Sequence, residues 1–131
     1  MMVPKFRAWH MPFGPKGPIQ EMVHGKASSI LAFAEMSPDE YIVEQYTGVK
    51  DESDVDIYEG DIVRVSDVYG DLSYIDVIWG GSDRYPAFDI KNHSKYYDSN
   101  ALLSIVNGGF EIIEVIGNVH TNPELLEAQH G

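Results

Sequence analysis

The sequence has no cysteine. That removes disulfide scaffolds, thiolate zinc sites and cysteine nucleophiles together. No apolar run approaches the roughly 20 residues that a helix needs to span a bilayer. The opening Met1-Met2-Val3-Pro4-Lys5-Phe6-Arg7 lacks the apolar stretch of a secretory signal. A soluble cytoplasmic protein with no membrane partner is the expectation. Positive charge is also scarce, with 9 lysines and arginines against 21 acids and a net charge of −12.

The acids are unevenly spread. Residues 1–30 carry Lys5, Arg7, Lys16 and Lys26 against Glu21 alone, for a net of +3. Residues 35–61 carry ten acids against Lys50, for −9, and residues 62–131 add −6. A field of that sign repels phosphate backbones, because nucleic-acid binders need cationic patches to release counterions. Direct nucleic-acid binding is therefore not expected. The acidic stretch reads either as a solvated face that keeps the chain soluble or as a surface that engages a basic partner.

What is present matches ordinary globular usage. Hydrophobic residues make up 44% and charged residues 23% of 131 positions, which argues against wholesale disorder. The length suits one domain, or one compact domain with a small appended segment. Lys5-Phe6-Arg7-Ala8-Trp9 alternates as a short strand, with Phe6 and Ala8 on one face and Lys5, Arg7 and Trp9 on the other, and Pro4 stands at its start. Met11 to Pro18 reads as a loop. Ile30-Leu31-Ala32-Phe33-Ala34 is too short for its period to separate helix from strand. Ser37-Pro38-Asp39-Glu40 reads as a turn into a strand at Tyr41–Thr47.

The centre is clearer. Ile57 to Val65 forms a strand pattern with a bend or bulge at Gly60-Asp61. Tyr69-Gly70-Asp71 then turns the chain into Leu72–Trp79, an antiparallel hairpin, and Gly80-Gly81-Ser82-Asp83 closes it. Glu111–Val119 is a further strand with a Gly117-Asn118 interruption. A helix of one to three turns starts near Thr121-Asn122-Pro123-Glu124, with Thr121 and Glu124 as a capping box or Asn122 as the cap. Short strands, twelve glycines and one terminal helix point to a mainly antiparallel, barrel-like β fold.

Tests for chemistry give little. No GxGxxG or P-loop spacing follows a strand pattern. His10, His24, His93, His120 and His130 are scattered, with no helical metal pair among them. Ser28 and Ser29 lie in no nucleophile elbow. A calcium loop starting at Asp51 needs glycine at its sixth position, where Asp56 stands; starting at Asp54, that position is Glu59. A magnesium-dependent nuclease would add a lysine or histidine, and only Lys50 is near. Tyr58, Trp79, Tyr85, Tyr96 and Tyr97 read as packing residues rather than a base-stacking platform. No catalytic residue, metal ligand or cofactor is assigned.

Four ordered blocks carry a resemblance. They are Lys5-Phe6-Arg7-Ala8-Trp9, Gln45-Tyr46-Thr47-Gly48-Val49-Lys50-Asp51, Ile57-Tyr58-Glu59-Gly60-Asp61-Ile62-Val63 and Glu114 to Leu126. Together they resemble the YopX family of bacteriophage and prophage proteins. The resemblance implies one domain over 1–131, with an N-terminal strand and loop segment over about 1–40 and a barrel with C-terminal helix over about 41–131. It implies an SH3-like, open antiparallel β-barrel with an additional N-terminal α+β portion, a phage or prophage origin and a tendency to self-associate. It implies no activity.

Gly48 and Gly60 within these blocks suit positive φ. The departure from the family is the acidic loop Glu52-Ser53-Asp54-Val55-Asp56. The expected function is that of a non-enzymatic accessory protein working through a protein partner, with Asp51, Glu52, Asp54, Asp56 and Glu59 as the candidate partner surface. The rival readings are an acidic nucleic-acid mimic that occupies a basic DNA-binding protein, and a metal-dependent enzyme acting on nucleic acid.

Overall fold

The computed structural model describes residues 5–71, 73–80, 88–93 and 101–127. Pro4, Leu72, the Gly81-Ser82-Asp83 turn, Tyr85, Tyr96, Tyr97 and His130 lie outside them. The fold is β-rich, with two antiparallel sheets, one of them a half-barrel. The chain divides into two compact units, Met1–Tyr46 and Thr47–Gly131.

In the first unit β1 (Phe6–His10) lies between β2 (Glu21–Gly25) and β3 (Tyr41–Lys50), antiparallel to both. Its middle residues Arg7, Ala8 and Trp9 are all buried, although the alternation predicted one polar face. A central strand is covered on both faces, and the polar Arg7 enters with a partner, Glu44. The loop after β1 turns twice, through Gly14 N–H to Met11 O and Gly17 N–H to Gly14 O. Gln20 ties that loop to the strand: Trp9 Nε1 donates to its Oε1 at 2.8 Å, and its Nε2 donates to the Pro15 and Gly17 carbonyls.

The ambiguous Ile30–Ala34 run is part of α1 (Ala27–Met36), which buries Ile30 and packs on β1 and β2. Ser37 ends that helix, its N–H donating to Phe33 O, and Glu40 N–H to Ser37 O closes the expected turn into β3. β2 went unread in the sequence because only Met22 and Val23 are apolar there.

The second unit holds β4 (Asp56–Tyr58), β5 (Asp61–Asp67), β6 (Ser73–Gly80), β7 (Phe88–Ile90), α2 (Ala101–Gly108), β8 (Glu111–Asn118) and α3 (Glu124–Glu127). The strand order is β7-β6-β5-β8, with β5 and β6 forming the expected hairpin. Ile57, Val63, Ile78, Ile90 and Ile113 form its core together with Leu102 and Ile105 of α2. α3 is the expected short C-terminal helix and α1 belongs to the expected N-terminal α+β portion, while α2 is a helix the sequence did not suggest. α2 is short, and its Ile105 and Val106 are β-branched, so its pattern is weak. A tertiary contact completes its start: Ala101 N–H donates to Asp89 Oδ1 at 2.7 Å.

Gly60 sits at the bend between β4 and β5 with φ +87°, and Gly48 is likewise positive at +85°. Gly60 N–H donates to Ile78 O, its carbonyl accepts Val119 N–H, and Asp61 Oδ2 accepts Tyr58 N–H at 2.8 Å. A side chain at this φ is strained, so Gly60→Val is expected to cost about 1–3 kcal/mol in a urea titration. Wild-type stability would count against the bend as a fixed feature.

The Gly117-to-Pro123 block is a second built turn. A Cβ on Gly117 would lie 2.5 Å from Asn122 Oδ1. Asn118 Oδ1 accepts the N–H groups of His120 and Thr121, and Asn122 Oδ1 accepts Asn118 N–H. The Asn122 side chain thus turns back to β8, where the sequence suggested a helix cap. Leu125 and Leu126 of the one-turn α3 are half-buried.

Candidate functional site

The acidic loop between β3 and β4 does not present its five carboxylates together. Asp51 is only 7% exposed. Its Oδ1 accepts the N–H groups of Ser53 and Val55 at 2.8 and 2.9 Å, and its Oδ2 accepts Val115 N–H of β8 at 2.9 Å. Glu52 N–H donates to Ile113 O, so the loop is fastened to β8 at two points. A carboxylate that caps a loop in this way makes an Asx-type turn.

Asp56 is joined to Lys50 Nζ at 2.9 Å. Glu59 is turned toward β6, where a Cβ on Gly80 would stand 2.6 Å from its Oε2. Glu52 and Asp54 face water, Asp54 with φ +68°, a conformation Asp tolerates better than most residues. The anionic surface that the sequence suggested is therefore reduced to Glu52 and Asp54, with Asp56 neutralised beside them.

A second polar cluster, unread in the sequence, centres on Asp76 of β6, which is fully buried. Its oxygens accept the N–H groups of Val77, Asn92 and His93 and the Asn92 amide. His93 Nδ1 lies 2.6 Å from Asp76 Oδ2, and the ring stacks on Tyr74 at 4.2 Å. The signal was an acid at a core-facing position, between Tyr74 and Ile78 on one side of the strand. The carboxylate fixes the 91–93 turn. Among the described residues no group of three or more His, Asp or Glu side chains is placed to hold a metal ion.

The third feature is apolar. α2 buries Ala101, Leu102 and Ile105, while Leu103 and Val106 face outward, followed by Phe110 at 70% exposure. Val68 N–H donates to Phe110 O, which brings the exposed Val68 and Tyr69 of the β5–β6 turn alongside. Next to this face is a cleft of about 230 Å³ lined by Lys50, Asp51, Glu52, Val106, Glu111, Ile112 and Ile113. α2 carries no acid in its first turn and no base in its last, so 101–108 offers little helix signal in the sequence.

The YopX protein family profile matches residues 19–127, from before β2 to the end of α3. The chain belongs to the YopX family. Its fold is similar to the crystal structure of protein EF1440 from Enterococcus faecalis, at 24% identity and a TM-score of 0.55, over 96% of this chain and 99% of that one. No curated protein matches the sequence. Among the described residues of this YopX-family chain no helix is long and apolar enough to cross a membrane.

Proposed function

We propose that this YopX-family chain is a non-enzymatic protein-interaction module, acting in the cytoplasm of a bacterium that carries the phage or prophage. The observation that carries the reading is the outer face of α2. A short helix already anchored by Leu102 and Ile105 has no packing need for Leu103 and Val106 outside, and exposed apolar side chains of this kind, with Phe110 just past the helix end, are what binding surfaces present. The committed carboxylates support the same reading. Asp51 and Asp76 spend their oxygens on backbone N–H groups, which leaves neither as a ready base or metal ligand. The mimic reading loses support for the same reason.

The test compares the tagged chain with a Leu103→Ser, Val106→Ser variant in co-purification from host lysate, with circular dichroism to confirm that both are folded. A stoichiometric partner held by the wild type and lost from the variant is the expected result. The reading fails if both chains retain the same proteins or neither retains any.

A further inference from the structure

We infer that the outer face of α2 and the adjoining cleft dock a basic, amphipathic helical segment of a protein partner; this rests on the interaction-module reading and names its partner class. Leu103 and Val106 are three apart on α2 and share its outer face, and the exposed Phe110 follows just past the helix end, after Gly109 turns the chain at φ +78°. Val106 continues this face into the cleft, whose floor is Ile112 and Ile113. At about 230 Å³ the cleft is smaller than the roughly 300–1,000 Å³ of small-molecule sites, so it suits inserted side chains. An apolar face beside such a hollow is the geometry that receives the apolar face of a helix.

Charge selects the sign of the partner. Glu52 and Glu111 border the cleft, and among the described lining residues the one cation, Lys50, is already paired with Asp56. Residues 47–131 carry 16 acids against 5 lysines and arginines, a net of −11. Lysines or arginines flanking the apolar face of the incoming helix would complement that rim. A second copy of this chain is a poor occupant, because α1, α2 and α3 contain no lysine or arginine.

The probe is a short synthetic amphipathic helix of leucine and lysine, dye-labelled for anisotropy and followed by 15N amide shifts on the full chain. Shifts at Glu52, Val106 and Phe110–Ile113 are expected. Affinity should fall about tenfold or more in the Leu103→Ser, Val106→Ser variant and in the Glu52→Gln, Glu111→Gln variant. A peptide with glutamate in place of every lysine should not bind. Equal affinity for both peptides, shifts elsewhere, or unchanged affinity in the variants overturns the inference. So does a wild-type dimer in sedimentation that the serine variant dissolves, which would make a second copy the occupant. If the lysine peptide fails while the lysate partner still depends on Leu103 and Val106, the basic helix is wrong and the interaction module stands. Failure of both experiments removes both.

Discussion

Asp76→Ala is expected to destabilise the second unit by about 3–5 kcal/mol, the range for stripping the partner from buried charged or hydrogen-bonded groups. The carboxylate has no exposure, and it receives three backbone N–H groups, the Asn92 amide and His93 Nδ1. Alanine leaves those donors facing a small apolar void with no replacement acceptor. Asp76→Asn should cost less, because one oxygen still accepts while the new amide meets donors. His93→Ala should be milder again, since the Asn92 and His93 backbone groups keep their acceptor. Urea titrations of the three variants read this order, and the midpoint should move without a change in slope. A loss below about 1 kcal/mol for the alanine variant would show that water or a local shift replaces the carboxylate.

The second large effect concerns the first unit. Arg7 Nε donates to Glu44 Oε1 at 2.9 Å across the β1–β3 pair, with side chains only 7% and 6% exposed. Removing Glu44 takes a charged acceptor from a buried guanidinium, so Glu44→Leu alone should cost about 3–5 kcal/mol. Replacing both, as Arg7→Met with Glu44→Leu, should lie within about 1 kcal/mol of wild type or above it, because desolvation of the pair offsets most of its attraction. A double-mutant cycle measures the coupling. If the double variant falls as far as the single one, the pair specifies the sheet and not merely satisfies itself.

His24 offers an independent readout, since it faces Arg7 across β1–β2. Partial desolvation of this otherwise exposed ring first, and then the Arg7 charge, hold its imidazole below the ordinary 6.5. A lowered histidine takes its proton more readily in the unfolded chain, so it removes stability as pH falls below 6.5. In the double variant an NMR titration should find His24 moved upward, because the Arg7 contribution is gone while the burial remains.

Neither target is legible in the sequence, whereas several local features are. The β5–β6 hairpin was legible because Ile62-Val63 and Val77-Ile78 flank a glycine turn, and local chemistry decided it. The Gly60 bend was legible because few residues tolerate its positive φ. β2 and α2 were missed for one reason: neither carries a strong period, and each is held by a neighbour distant in sequence, β2 by β1 and α2 by Asp89. In the acidic loop the sequence did not separate Asp51, which caps the loop, from Glu52 and Asp54, which face water, because the two kinds of acid look alike in a string of residues.

The sequence by itself determined the β-rich class, the turns at glycine and asparagine, the surplus of negative charge and the YopX resemblance. Each of these depends on local conformational preference, composition or the order of short blocks. Tertiary structure alone decided which carboxylates are spent inside and which face water. It also placed Val106 beside Ile112 and Glu52. Asp51 meets Val115 64 residues on and Asp76 meets His93 17 residues on, and no local signal encodes such a meeting.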